Sequence, residues 1–122
     1  MIRRIASGGP YEDLIGYSRA VAAGPFVMVS GCTSTADGAH GQTLAAFAVA
    51  ERALAEAGLT LADVIRTRMF VTDIGLWEEV GRAHSQLFHE IRPAATMVAV
   101  TALVDPRMVV EVEVVAYREP PP

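Results

Sequence analysis

Glu111 and Glu113 stand two residues apart in the apolar run Val109-Val110-Glu111-Val112-Glu113-Val114-Val115-Ala116, so both carboxylates project from one face of a strand. A carboxylate on a sheet face beside a cleft can take a proton from water and act as a general base. The same spacing also suits cross-strand pairs with Arg66, Arg68 or Arg19, and both readings of Glu111 stay open. Tyr17 offers a phenol that can donate to a ligand or stack on it, or simply sit where apolar surface meets water. In Ser30-Gly31-Cys32 the glycine permits close backbone approach, although it also suits a strand-ending bend. Cys32 could be a nucleophile if a neighbour lowered its pKa, but no His or Lys adjoins it in sequence, which favours a small apolar filler. Cys32 with His40, His84 and His89 shows no zinc-ligand spacing, so no metal or other cofactor is expected.

These residues must be held by one domain, because 122 residues suffice for a core but not for two. The expected domain spans residues 1–117, followed by an extended, flexible proline-ended tail at 118–122. With 52% apolar and 20% charged residues the chain reads as well packed rather than disordered. No run approaches the roughly 18 apolar residues of a membrane span, and Met1-Ile2-Arg3-Arg4 does not begin a secretory leader, so a cytoplasmic location is expected. The net charge of −4, with ten scattered arginines and no lysine, provides no track for a phosphate backbone; nucleic acid is not an expected partner.

The element order predicted from patterning is strand, strand, helix, strand, helix, strand, strand. Residues 18–24 and 26–30 form a hairpin across Ala23-Gly24-Pro25, and residues 33–41 form a polar loop. Phe47, Ala50, Leu54 and Ala57 recur at helical spacing within 42–57, ahead of Gly58. A capped turn at 60–63 leads to a strand at 64–72, with Ile65, Thr67, Met69 and Val71 on its apolar side. Asp73 caps a second helix whose stripe is Trp77, Val80, His84, Leu87, Phe88 and Ile91, ending before Pro93. His84 on that stripe reads as packing rather than chemistry. Strands at 96–103 and 108–117 flank a turn-like link at 104–107. The result is an α+β domain, a mixed sheet with two helices on one face. Two helices cannot cover both faces, and Phe70, Val109, Val115 and Tyr117 would form an exposed apolar patch, so a homo-oligomer is expected.

Ser30-Gly31-Cys32, Arg92-Pro93-Ala94-Ala95-Thr96 and the strand through Glu111 occur in an order and spacing that resembles the Rid (YjgF-type) family of imine-hydrolysing proteins, over about 16–116. The resemblance implies a chorismate-mutase-like fold and a homotrimer with small-molecule sites in clefts between subunits. It implies that Glu111 orients the water that attacks the imine carbon, that Tyr17 lines the cleft, and that Ser30 and Gly31 receive the ligand through main-chain N–H groups and a small side chain, with Cys32 at the substrate-binding position where many relatives have Gln or Thr. The usual proline before Tyr17 is missing.

In the best-known branch of the family a Pro-Ala-Arg-Ser/Thr segment supplies an arginine for the substrate carboxylate; here that position is Ala95. A methyl group cannot replace the guanidinium fork. Met97 replaces another site residue, and Gly81 an asparagine near the cleft. The site is therefore expected to favour a larger, less acidic, more apolar substrate, unless Arg19, Arg82 or Arg92 supplies the cation. The reading of function is imine or enamine hydrolysis of the deaminase type. Its alternative is a non-catalytic ligand-binding or chaperone-like trimer. RNA cleavage, which the resemblance also brings in, ranks last on charge.

Overall fold

The computed structural model describes residues 1–119 and 121. The elements are β1 (Ile2–Ile5), α1 (Pro10–Ile15), β2 (Ala20–Ala23), β3 (Phe26–Cys32), α2 (Gly38–Glu56), β4 (Val64–Val71), α3 (Trp77–Phe88), β5 (Ala94–Ala99) and β6 (Val110–Tyr117), with single 3-10 turns at Leu61–Asp63 and Ile74–Leu76. One six-stranded sheet runs β1-β2-β3-β6-β4-β5, antiparallel except for β4 and β5. The parallel pair is forced by α3, which carries the chain back between two neighbouring strands. The sheet is therefore mixed, as patterning predicts.

Parity along β6 sets the two faces. Val110, Val112, Val114 and Ala116 are buried beneath the helices, while Glu111, Glu113, Val115 and Tyr117 alternate on the other side. Helix α2 meets the sheet with Ala46, Phe47, Ala50, Ala53 and Leu54, all buried at three- and four-residue steps. Its small alanines let the helix approach closely. The larger Phe47, Leu54 and valines then supply the core, each about 1.5–3 kcal/mol.

Helix α3 closes the same layer. Phe47 and Phe88 pack edge to face at 5.1 Å, and His84 lies 4.7 Å from Phe88. The His84 Nε2 shares a 2.8 Å hydrogen bond with the buried Thr67 Oγ1, so this histidine is a packing residue with a polar anchor. Burial holds its pKa below the ordinary value of 6.5. The unfolded chain thus takes up the proton first, and stability is lost as pH falls from 6.5 toward the lower folded value, with no contribution above 6.5. Thermal melts of wild type should show this decline. In the double variant Thr67→Val/His84→Phe that share of the slope disappears; an unchanged slope contradicts the assignment.

Several boundaries depart from the sequence reading. The first 17 residues contain β1 and α1, a third and short helix, which patterning does not single out. Helix α2 starts at Gly38 rather than at 42, so the polar loop is shorter. Strand β3 continues to Cys32, and β5 runs over 94–99 rather than 96–103. Residues 100–109 consequently carry the chain past β4 to β6, with a turn made by Met108 N–H to Asp105 O. A bulge between Val64 and Arg66 turns Ile65 outward, 46% exposed, and puts Val64 in the core instead. Trp77 is 56% exposed, because it opens α3 above the layer rather than within its stripe.

Of the expected tail, Pro120 and Pro122 lie outside the described residues. Arg118 is tied down: its guanidinium binds Asp63 at 2.6 Å and the Gly58 carbonyl, and its N–H donates to Pro25 O. No helix among the described residues is long and apolar enough to cross a membrane.

Candidate functional site

The site begins with an irregularity in β3. Pairing with β6 shifts between Val29 and Cys32, so Ser30 and Gly31 bulge out of the ladder. Arg19, just ahead of β2, fills the space behind the bulge. Its Nη1 donates to Gly31 O at 2.7 Å, Ser30 O at 3.2 Å and Cys32 Sγ at 3.2 Å, and its Nη2 donates to Tyr17 Oη at 3.2 Å. The guanidinium also lies 5.5 Å from the Tyr17 ring centroid. Tyr17 is placed by Gly16, whose left-handed φ of 91° ends α1 without the strain a side chain would bring.

On the facing strand, Glu111 leans over Gly31. A Cβ built on that glycine would lie 2.2 Å from Glu111 Oε2, so only glycine leaves the carboxylate where it is. Glu111 makes no hydrogen bond or salt bridge among the described residues, whereas Glu113 is paired with Arg68 at 2.6 Å. The two readings left open for the acidic pair therefore separate: Glu113 is the cross-strand partner and Glu111 is free. Burial, then the Glu113 charge, push the Glu111 carboxyl above its usual range, and Arg19 opposes them.

Around these groups lies a cavity of about 500 Å³ whose wall includes Tyr17, Arg19, Ser30, Gly31, Cys32 and Glu111. Ser7, Tyr11, Val49, Val104 and Met108 complete it. Six residues named from sequence thus converge, Arg19 among them. Their roles are not all as expected. Ser30 gives its N–H to Arg19 O and its hydroxyl hydrogen to Ser18 O, so neither donor is free for a ligand, and the hydroxyl oxygen is left only as an acceptor. Cys32 is buried and donates to Ser30 O; burial raises its thiol pKa despite the Arg19 charge, so it is a filler rather than a nucleophile.

Ala95 and Met97 are not brought to this cavity in the single chain. They pair with Thr67 and Met69, the helix-side residues of β4, and β5 is the edge strand two places from β6. Arg82 and Arg92 are exposed elsewhere, Arg92 folding back onto His89 O. Arg19 is the cation at the cavity. Sequence reasoning missed the N-terminal wall, Ser7 and Tyr11. Its signals were present in Pro10 at a helix start and Gly16 at its end, though the helix has only six residues.

The family model described as endoribonuclease L-PSP matches residues 11–118. The chain belongs to this family, the YjgF/Rid proteins. Among its relatives is an uncharacterized protein of Streptomyces coelicolor, 44% identical over 96% of this chain and 92% of that protein. The crystal structure of a YjgF-family member from Mycobacterium tuberculosis superposes with a TM-score of 0.94 at 49% identity, covering 97% of this chain and all of that one, 100%. A YjgF-family structure from Neisseria meningitidis gives 0.85 at 26% identity, over 99% and 98% of the two chains. The YjgF-type fold inferred from short motifs is thereby established over nearly the whole chain.

Proposed function

We infer that this YjgF-family chain hydrolyses imines or their enamine tautomers. The observation that carries the reading is Glu111: an ion-pair-free carboxylate of raised pKa, held over a glycine in the wall of a cavity that also contains a phenol and a guanidinium. In the reaction, Glu111 accepts a proton from water as the oxygen bonds to the imine carbon. Glu111 passes that proton to the nitrogen as the C=N bond becomes single. The tetrahedral aminoalcohol then collapses: Glu111 removes the hydroxyl proton as the C=O bond forms and hands it to the nitrogen, which leaves as ammonia, and the carboxylate is regenerated. One imine and one water become one carbonyl compound and one ammonia. A carboxyl with elevated pKa suits both proton transfers near neutral pH.

The family description mentions endoribonuclease activity. The charge of −4 and a cavity whose cation is 7% exposed provide no phosphate-tracking surface, which favours the small-molecule reading. The test is ammonia release from imines generated in situ. The protein should shorten imine lifetime relative to buffer. Ligands that raise the melting temperature and are never consumed would instead favour a binding module.

The reading includes a homotrimer, supported by the uncovered sheet face. Phe26 (39%), Met28 (54%) and Val98 (43%) are exposed there beside Tyr117 and Val115. The family resemblance, which implies sites in clefts between subunits, is what would assign Ala95 and Met97 on edge strand β5 to another subunit's cavity. Sedimentation should give a trimer at micromolar concentration, and Met28→Glu should dissociate it. A stable wild-type monomer contradicts this part of the account.

A further inference from the structure

Between Ala6 and Ser18 the chain buries a single residue, and it is a glutamate. Glu12 is 6% exposed, whereas Leu14 (81%) and Ile15 (68%) of the same short helix lie open, so no buried apolar side chain anchors the segment. Glu12 does the fastening. Its carboxylate accepts from the Ser7 N–H at 3.1 Å, the Ser7 hydroxyl and the Gly9 N–H at 3.1 Å, and its carbonyl accepts from the Gly16 N–H at 2.8 Å and the Tyr17 N–H at 3.1 Å. One residue thus ties both ends of 7–17 together. Among the described residues, every hydrogen bond made by 7–16 stays within 7–17, and none reaches the sheet or the longer helices. The Ser7 hydroxyl, with the backbone N–H groups of Ser7 and Gly9 and the Arg19 charge, holds the Glu12 carboxyl below its usual range against burial. The carboxylate is therefore ionised at neutral pH, and its three bonds are charge-assisted. Gly8 and Gly16, at left-handed φ of 76° and 91°, bracket α1.

The segment is also a wall. Gly9, Pro10, Tyr11 and Ile15 line the cavity that holds Glu111. Ser7 borders both that cavity and a second hollow of about 400 Å³ against Arg52, Ala53 and Glu56 of α2. With a hollow on either side of Ser7, hydrogen bonds to Glu12 rather than packing fix the segment, which makes its opening a local event.

We propose that residues 9–15 are a flap over the cavity, hinged at Gly8 and Gly16, that Glu12 is the positioning residue that latches it shut, and that ligands enter as it opens. Entry of substrate by this route rests on the reading of the cavity as the active site; the latch stands without it.

Two measurements on the full-length protein test this without turnover. Backbone amide exchange, followed residue by residue, should show Gly9, Gly16 and Tyr17 opening together and well ahead of the β3 and β6 amides. In Glu12→Gln these three should lose protection about tenfold or more, with β3 and β6 unchanged. Leu14→Ala, on the same helix but outside the latch, should stay within about twofold of wild type. The probe of entry is Cys32, the chain's one cysteine, which lines the cavity and is 1% exposed. Its alkylation by iodoacetamide should accelerate in Glu12→Gln by the same factor as the three amides. Ser7→Ala, which removes one of the three bonds, should shift the same amides and Cys32 by a smaller common factor, and it decides the matter if Glu12→Gln does not fold. Unchanged exchange, or a loss of protection spread equally over β3 and β6, overturns the latch. Faster exchange at the three amides with unchanged Cys32 alkylation overturns entry by way of the flap. Imine turnover with no latch sinks this proposal alone; a latch with no turnover sinks the hydrolase reading alone.

Discussion

Replacing Glu111 by Gln is expected to reduce kcat for imine hydrolysis by about 10²–10⁴-fold, the usual contribution of a positioned general base. The amide keeps the volume above Gly31 but cannot accept the proton from water. The same substitution should make the protein more stable at neutral pH. Burial and Glu113 raise the folded-state pKa of Glu111, so the folded chain holds its proton where the unfolded chain, titrating near 4.5, has released it. Stability contributed by this group is full below 4.5 and is lost as pH rises through the folded value. Gln removes that loss. Melting temperatures of wild type and Glu111→Gln should therefore diverge above the folded pKa, with the variant higher, and converge in acid. A variant that is inactive and also less stable at neutral pH would point to a structural role for the carboxylate instead.

The second large effect belongs to Gly31. Gly31→Ala places a methyl 2.2 Å from Glu111 Oε2, closer than real Cβ contacts come. What must yield is the end of a flexible side chain rather than backbone, so the fold survives and the carboxylate swings away. Displacing a catalytic group by about 1 Å costs about 10²-fold in rate. The expected result is a kcat lowered by about that factor, with the melting transition shifted far less than a core cavity would shift it. Unchanged kcat would show that the position of Glu111 over Gly31 is irrelevant to the chemistry.

Both residues were legible in the sequence, for a simple reason. The side-chain period of a strand is two, so the unbroken alternation of β6 assigned Glu111 to the face opposite Val110 and Val112 without knowledge of its neighbours. Helix α2 was equally plain in its 3.6-residue repeat, though not its first turn, where Gly38, Ala39 and His40 carry no apolar stripe. Ile65 was misjudged because a bulge shifts parity by one residue, and that bulge has no local sequence mark. Ala95 and Met97 were assigned to the site by analogy, and their distance from Glu111 follows from strand order, which no single segment encodes. Arg19 appeared only as one of three arginines that could supply a substitute cation, with nothing to rank it above Arg82 or Arg92. Its importance comes from contacts made across the β3 bulge, and these exist only after β2, β3 and β6 have paired.

The central claim is that an unpaired carboxylate at 111 activates water against a C=N bond. Ammonia release from a panel of imines generated in situ, followed across pH for wild type, Glu111→Gln and buffer, addresses it most directly. The expected outcome is an excess rate in wild type that rises with pH through the elevated Glu111 pKa and is absent from Glu111→Gln. Rates for wild type and Glu111→Gln that coincide on every imine at every pH would contradict it.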